Sequence, residues 1–359
     1  MRVLVPLLLA ALGCREAAAP APAPAPAGER CLVPCADIRF GAHVADQVPP
    51  LDGPLVVAAT AASYLGADDP VVGVAVGDAA RAYPLKVLAQ HEVVNDVLGG
   101  RPIAVALAPL SGVAVVIDLR ATGAPRGFGN TGGTYESDSV LYDRDTGSWW
   151  SPMLLRAIRG PRLGAELRCV PHLRATWAAW RALAPSTTVL SDATGHPELD
   201  YSSYAYAWYE ADDRQLLTTL RRYDLRLPYK EPVLGLVVGA VARAYPASRL
   251  PIRGAIADAV GGRAVLVVRD AAAGLLAAYD RTMGPTVLDF VPLSPDDAGV
   301  LRLRDVQTGS RWDARGRALA GPLAGSALAP AASTRAYWFA WGAFHPASEI
   351  WSAGNGGDA

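Results

Sequence analysis

The chain has 359 residues, 51% of them hydrophobic, and its 33 Lys and Arg against 34 Asp and Glu leave a formal net charge of −1 at pH 7. A near-neutral chain without a basic stripe is poorly suited to nucleic acid, which rewards clustered cations. Four cysteines in this length exclude a disulfide-built miniprotein, and there are enough residues for two domains of ordinary size.

Residues 1–14 read as a lipoprotein-type signal peptide: Arg2, an apolar run from Val3 to Leu12, then Gly13-Cys14. A run of about ten apolar residues is too short to span a bilayer and has the proportions of a secretory core. Leu9-Ala10-Ala11-Leu12-Gly13-Cys14 is similar to a bacterial lipoprotein processing site, so lipidation is expected at Cys14, with the membrane as a partner through that anchor. Residues 15–30 are an Ala/Pro-rich tether, a stiff polyproline spacer of roughly 30 Å at about 3.1 Å per residue. The body beyond it is expected to lie outside the cytoplasm, in a periplasm or at a cell surface.

Cys31 and Cys35 follow the tether. Their spacing suits a small disulfide or a metal, and their place outside the rest of the pattern favours a local disulfide. Cys169 is then unpaired, and Leu167 and Val170 beside it predict a buried, inert thiol.

From residue 45 the elements are short. Val71 to Val76 and Ala79 to Tyr83 predict a hairpin around Gly77-Asp78. Leu85, Leu88, Val93, Val94, Val97 and Leu98 predict an amphipathic helix of some three turns stopped by Gly99-Gly100. Ile103 to Leu107 and Val113 to Leu119 read as strands. Gly127 to Gly133 reads as a flexible loop, Val140 to Tyr142 as a strand before the turn at Asp143 to Gly147, and His172 to Leu183 as a Trp-rich helix.

Residues 196–231 include the stretch Asp200 to Glu210, dense in tyrosine, which predicts packing at a junction between domains. Then the chain repeats itself. Pro70 to Arg101 matches Pro232 to Arg263 without a gap, 162 residues on; Thr146-Gly147-Ser148 with Trp150 matches Thr308-Gly309-Ser310 with Trp312; Arg174 to Trp180 matches Arg335 to Trp341 after one deletion. The expected fold is α+β: two tandem related units, 45–195 and 232–352, rich in antiparallel sheet or small barrel, each with one or two short packing helices.

Two copies allow a subtraction. Arg81, Tyr83-Pro84, Asp96, Gly99-Gly100 and Trp150 recur and are expected to serve the fold. His91, Glu92 and Asn95 face Arg253, Gly254 and Ala257, so this ionisable cluster occurs once. On a helix His91 and Asn95 would share a face, a geometry that suits a general base with an orienting amide, or a metal bound through His91 and Glu92. The string His91 to Asn95 falls one histidine short of H-E-x-x-H, which argues against a metalloprotease. Ser111, Tyr135, Asp138 and His172 complete the candidates for ligand binding; Ser111 lacks a G-x-S-x-G elbow.

Several of these motifs together resemble the bacterial domain of unknown function numbered 3179: Ala80-Arg81-Ala82-Tyr83-Pro84, His91-Glu92-Val93-Val94-Asn95-Asp96, Phe128-Gly129 with Gly132, Tyr142-Asp143-Arg144 with Thr146 and Ser148, and Trp338-Phe339-Ala340-Trp341 through Phe344-His345-Pro346. The resemblance spans roughly residues 45 to 352 and implies a family without an assigned activity. Where that family shows a Cys-Pro-Leu-Cys segment, this chain has Ala108-Pro109-Leu110-Ser111, so any thiol chemistry there is altered or lost.

The expected function is therefore binding of a small ligand or metal ion by a polar pocket in the first unit. One alternative is an enzyme, a hydrolase or metal-dependent redox protein using His91; another is a cell-envelope structural or assembly factor acting through its tyrosines.

Overall fold

The computed structural model describes residues 30–41, 44–218, 220–294 and 299–353. Cys14 and the tether up to residue 29 lie outside them. Cys31 and Cys35 form the expected disulfide, while Cys169 is free but exposed rather than buried.

Pro70–Val76 and Ala79–Pro84 pair antiparallel about Gly77, whose φ of 56° is the left-handed conformation its turn requires. His172–Thr176 and Thr188–Leu190 flank this hairpin, and Val56–Ala58 closes the sheet edge. A second sheet holds Val93–Leu98, Arg101–Ala108 and Val113–Asp118. A third runs Phe128–Tyr135, Asp138–Asp143, Trp149–Ser151 and Arg156–Arg159.

These pairings recur 162 residues later: Val71 faces Pro84 as Val233 faces Pro246, and Asp96 faces Ile103 as Asp258 faces Val265. The molecule is mostly β-sheet, antiparallel and mixed, with few and short helices. That is a leaner helix content than an α+β reading implies.

Three local expectations are corrected. The helix proposed for residues 85–98 stops after Leu85–Leu88, and Val93–Leu98 is a strand. β-Branched Val93, Val94 and Val97 favour the pleated conformation, and Gly99-Gly100, at φ 56° and 74°, is a two-residue hairpin turn rather than a helix stop. The glycine-rich run is also a strand, Phe128–Tyr135. Its glycines admit close neighbours, since a Cβ at Gly129 would stand 2.5 Å from Asp46 Oδ1 and one at Gly133 would stand 2.6 Å from the Phe40 ring. The Trp-rich segment begins as the strand His172–Thr176, and only Trp177–Leu183 is helical, with Thr176 accepting from Ala179 N at its start.

The recurring residues act as braces. Asp96 accepts from Tyr83 Oη at 2.7 Å and pairs with Arg81; Asp258 accepts from Tyr245 Oη at 2.7 Å and pairs with Arg243. Trp150 Nε1 donates to Asp143 at 2.8 Å, as Trp312 Nε1 donates to Asp305 at 2.9 Å.

The two tryptophan helices cross over. Trp177, Trp180 and Leu183 share a core with Leu266, Leu275 and Trp312, while Trp338, Phe339 and Trp341 share one with Val93, Ala106, Val115 and Trp150. A hydrogen bond marks each crossing: Thr176 N donates to Ala273 O at 2.8 Å and Tyr337 N to Ser111 O at 2.9 Å. Burying one tryptophan is worth about 4–6 kcal/mol before entropy is counted, so each half stabilises the other.

Candidate functional site

Asp138 opens its strand directly after the turn residues Glu136 and Ser137, which take φ of 48° and 66°. It is buried without a cation beside it. Oδ1 accepts from Ser111 Oγ at 2.9 Å; Oδ2 accepts from Met153 N at 2.9 Å and Ser151 Oγ at 3.2 Å. Burial pushes the carboxyl up to about 6, with the Met153, Ser111 and Ser151 hydrogen bonds opposing the rise.

Glu92 lies between the short helix and the strand Val93–Leu98, in the left-handed conformation at φ 55°. That turn aims its half-buried side chain at Ser139 and toward Asp138. Burial raises its pKa to about 7; the Ser139 hydrogen bond lowers it and the Asp138 charge adds to the rise. Tyr206 stands nearby, its phenol raised by burial and then by Glu92. Two carboxyls that titrate near neutrality thus face one another, a pattern concentrated at functional sites.

The loop carrying Ser111 is clasped from three directions. Tyr209 Oη donates to Leu110 O at 3.1 Å, Tyr337 N to Ser111 O at 2.9 Å, and Arg174 Nη1 to Gly112 O at 3.2 Å. The Tyr-rich segment forms a wall here, with ring centroids 6.2 Å apart for Tyr204 and Tyr206 and 6.5 Å for Tyr206 and Tyr209. Tyr204 and Tyr206 are half-buried in that wall rather than displayed on a surface.

The other candidates lie apart from this cluster. His91 is fully buried, with Nδ1 2.6 Å from Pro49 O and Nε2 2.6 Å from Tyr201 Oη. A carbonyl only accepts, so Nδ1 carries the proton and Nε2 accepts from the phenol. Burial lowers its pKa, which favours the neutral form, and both ring nitrogens are engaged. Asn95 shares no helical face with it. Its amide bonds Phe128 N and O, each at 2.9 Å, and Asp52 at 2.8 Å, joining two sheets. A Cβ at Gly127 would stand 2.4 Å from Asn95 Oδ1, so that glycine is required.

Tyr135 packs edge-on against Phe344 at 5.3 Å and bonds Arg221. His172 sits between the carbonyls of Val170 and Ala114, each at 3.1 Å. Among the described residues no group of three or more His, Cys, Asp or Glu is arranged to hold a metal ion.

Glu92, Ser111 and Asp138 therefore come together, and His91, Asn95, Tyr135 and His172 do not join them. Ser139, Ser151 and Tyr206 belong to the cluster and were not singled out from the sequence. The same subtraction reaches one of these, Ser139, which falls opposite Leu301 as Ser111 and Asp138 fall opposite Ala273 and Val300. In the second half these side chains lie in an apolar core, while the backbone of Ala273 and Leu301 donates to the buried Asp270, which pairs with Arg253 at 3.0 Å.

A family model described as "Protein of unknown function (DUF3179)" matches residues 45–348. No curated protein matches the chain. No solved structure matches it.

Proposed function

We propose that this chain, which belongs to the DUF3179 family of unknown function, is an envelope lipoprotein that binds a small polar ligand at Glu92, Ser111 and Asp138. One observation carries the reading. The first half buries Asp138 among serines with no cation beside it, where the related second half has Val300 and Ala273 and pairs its own buried acid, Asp270, with Arg253 at 3.0 Å. A carboxylate held from water without a cation costs stability, and such a cost is retained where function requires it. Two related units sharing crossed helices would supply a rigid frame for this seam, with the anchor at Cys14 setting the location.

The acceptor-rich cluster suits a ligand that brings hydrogen-bond donors or an ammonium group. Glu92, near neutrality, favours a second reading in which it moves a proton on the bound molecule. A thermal-shift screen of amines, polyols and amino acids against the wild type, Glu92→Gln and Asp138→Asn tests the binding reading. Hits that vanish in both variants support it, and hits that persist in both remove the site. Cell fractionation with Cys14→Ser tests the anchor: the wild type stays with the membrane and the variant leaves it.

A further inference from the structure

Arg174 and Arg335 hold equivalent places in the two halves, two residues before Thr176 and Tyr337. Each spends one nitrogen on a turn carbonyl: Arg174 Nη1 on Gly112 O at 3.2 Å and Arg335 Nη1 on Gly274 O at 2.9 Å. Among the described residues neither forms an ion pair, and Arg174 Nε is buried without a hydrogen-bond partner. The acid of this cluster, Glu210, accepts from the Tyr337 and Tyr204 phenols.

We propose that Arg174 and Arg335 seat an oxyanion, so that the ligand at the seam carries a carboxylate or similar group at one end and an ammonium or hydroxyl end for Glu92 and Asp138. With Arg269 also acting on Arg335, three guanidiniums against the one carboxylate of Glu210 leave a positive excess, which a bound anion neutralises. Burial, followed by the Arg174 charge, disfavours the charged form of Arg335, so an anion there relieves an existing cost. The two seats are contiguous. Ser111 bonds Asp138 through its side chain, the next residue Gly112 holds Arg174, and the wall of Tyr204 and Tyr206 runs from Glu210 to Glu92.

The proposal rests on the binding reading for its donor end only. The purified protein is titrated at constant ionic strength, balanced with chloride, with acetate, with inorganic phosphate and with ω-amino acids of increasing length, using thermal shift and calorimetry. Acetate or phosphate is expected to stabilise the wild type saturably, whichever is tighter naming the anion, with about tenfold weaker binding in Arg174→Gln. One ω-amino acid is expected to bind about tenfold tighter than acetate, and Glu92→Gln removes that gain. Stabilisation that never saturates, or that survives in Arg174→Gln, overturns the anion seat while leaving the carboxyl site standing. Should Arg174→Gln fail to fold, Arg174→Lys serves, with retained but weakened anion binding expected and unaltered binding contradicting the seat. A saturable anion effect without any gain from ω-amino acids overturns the linkage of the two seats.

Discussion

Ser111 donates its hydroxyl to Asp138 Oδ1 at 2.9 Å, and the equivalent residues of the second half, Ala273 and Val300, make no such contact. In that half buried acids sit elsewhere: Asp270, paired with Arg253 at 3.0 Å, and Asp313. Asp313, opposite Ser151, accepts from Arg315 N at 2.9 Å, the counterpart of Met153 N on Asp138. The same backbone donor is thus satisfied in both halves by an acid on a different strand, and only the first half turns an acid toward serines and a second carboxyl.

The pH dependence follows from two raised carboxyls. Asp138 moves from 3.8 to about 6 and Glu92 from 4.5 to about 7. The native state holds these protons more tightly than the unfolded chain, so their stabilising contribution is complete below pH 4 and is lost as pH rises through 6 and 7. For Asp138 the loss is about 3 kcal/mol at 1.36 kcal/mol per unit. Urea unfolding is expected to show Asp138→Asn more stable than the wild type at pH 8 and equal to it near pH 4. A difference that does not vary with pH would contradict the assignment.

The duplicated braces behave differently. Asp96→Ala strands Arg81 and the Tyr83 hydroxyl and is expected to cost about 2–4 kcal/mol, whereas Asp258→Ala strands the Tyr245 hydroxyl but leaves Arg243 paired with Glu349 at 2.7 Å. Denaturation midpoints that fall further in Asp96→Ala than in Asp258→Ala check this difference.

The tryptophan helices leave no room at the strands they cover. A Cβ at Gly73 would stand 2.2 Å from the Trp180 ring, and one at Gly235 would stand 2.2 Å from Trp341. Gly73→Ala and Gly235→Ala should therefore lower the melting temperature sharply or prevent folding, a loss of about 3 kcal/mol or more. Soluble yield and calorimetry read the result.

Because the helices cross, residues 45–195 alone lack the cover supplied by Trp338, Phe339 and Trp341. This fragment is expected to show no cooperative thermal transition and to bind a hydrophobic dye. A sharp transition equal to that of the whole protein would show that the crossing is dispensable.

Much of the frame was legible in the residues. Gly77-Asp78 marks the first hairpin, and the recurrence of Arg81, Tyr83 and Asp96 marks them as serving the fold. The helix over 85–98 was misread because Leu85, Leu88 and Val93 mimic a helical stripe, while Gly99-Gly100 serves hairpin turns as readily as helix ends. At the site, proximity in sequence misled. His91 and Glu92 are adjacent, but the left-handed turn at Glu92 leaves the histidine bonded to Pro49 and Tyr201 while the carboxyl faces Ser139. Nothing in the spacing of Ser111 and Asp138 reveals that two sheets bring them within hydrogen-bond distance.

The central claim is that the Ser111–Asp138 cluster serves a ligand rather than the fold. The variant Ser111→Ala, Asp138→Val, Ser151→Asp gives the first half the second half's residues at these three positions, including an acceptor for Met153 N. Its unfolding free energy at pH 7.5, measured in urea, is predicted to lie within about 1 kcal/mol of the wild type or above it. A loss of about 3 kcal/mol or more would make the cluster a structural element and contradict the assignment.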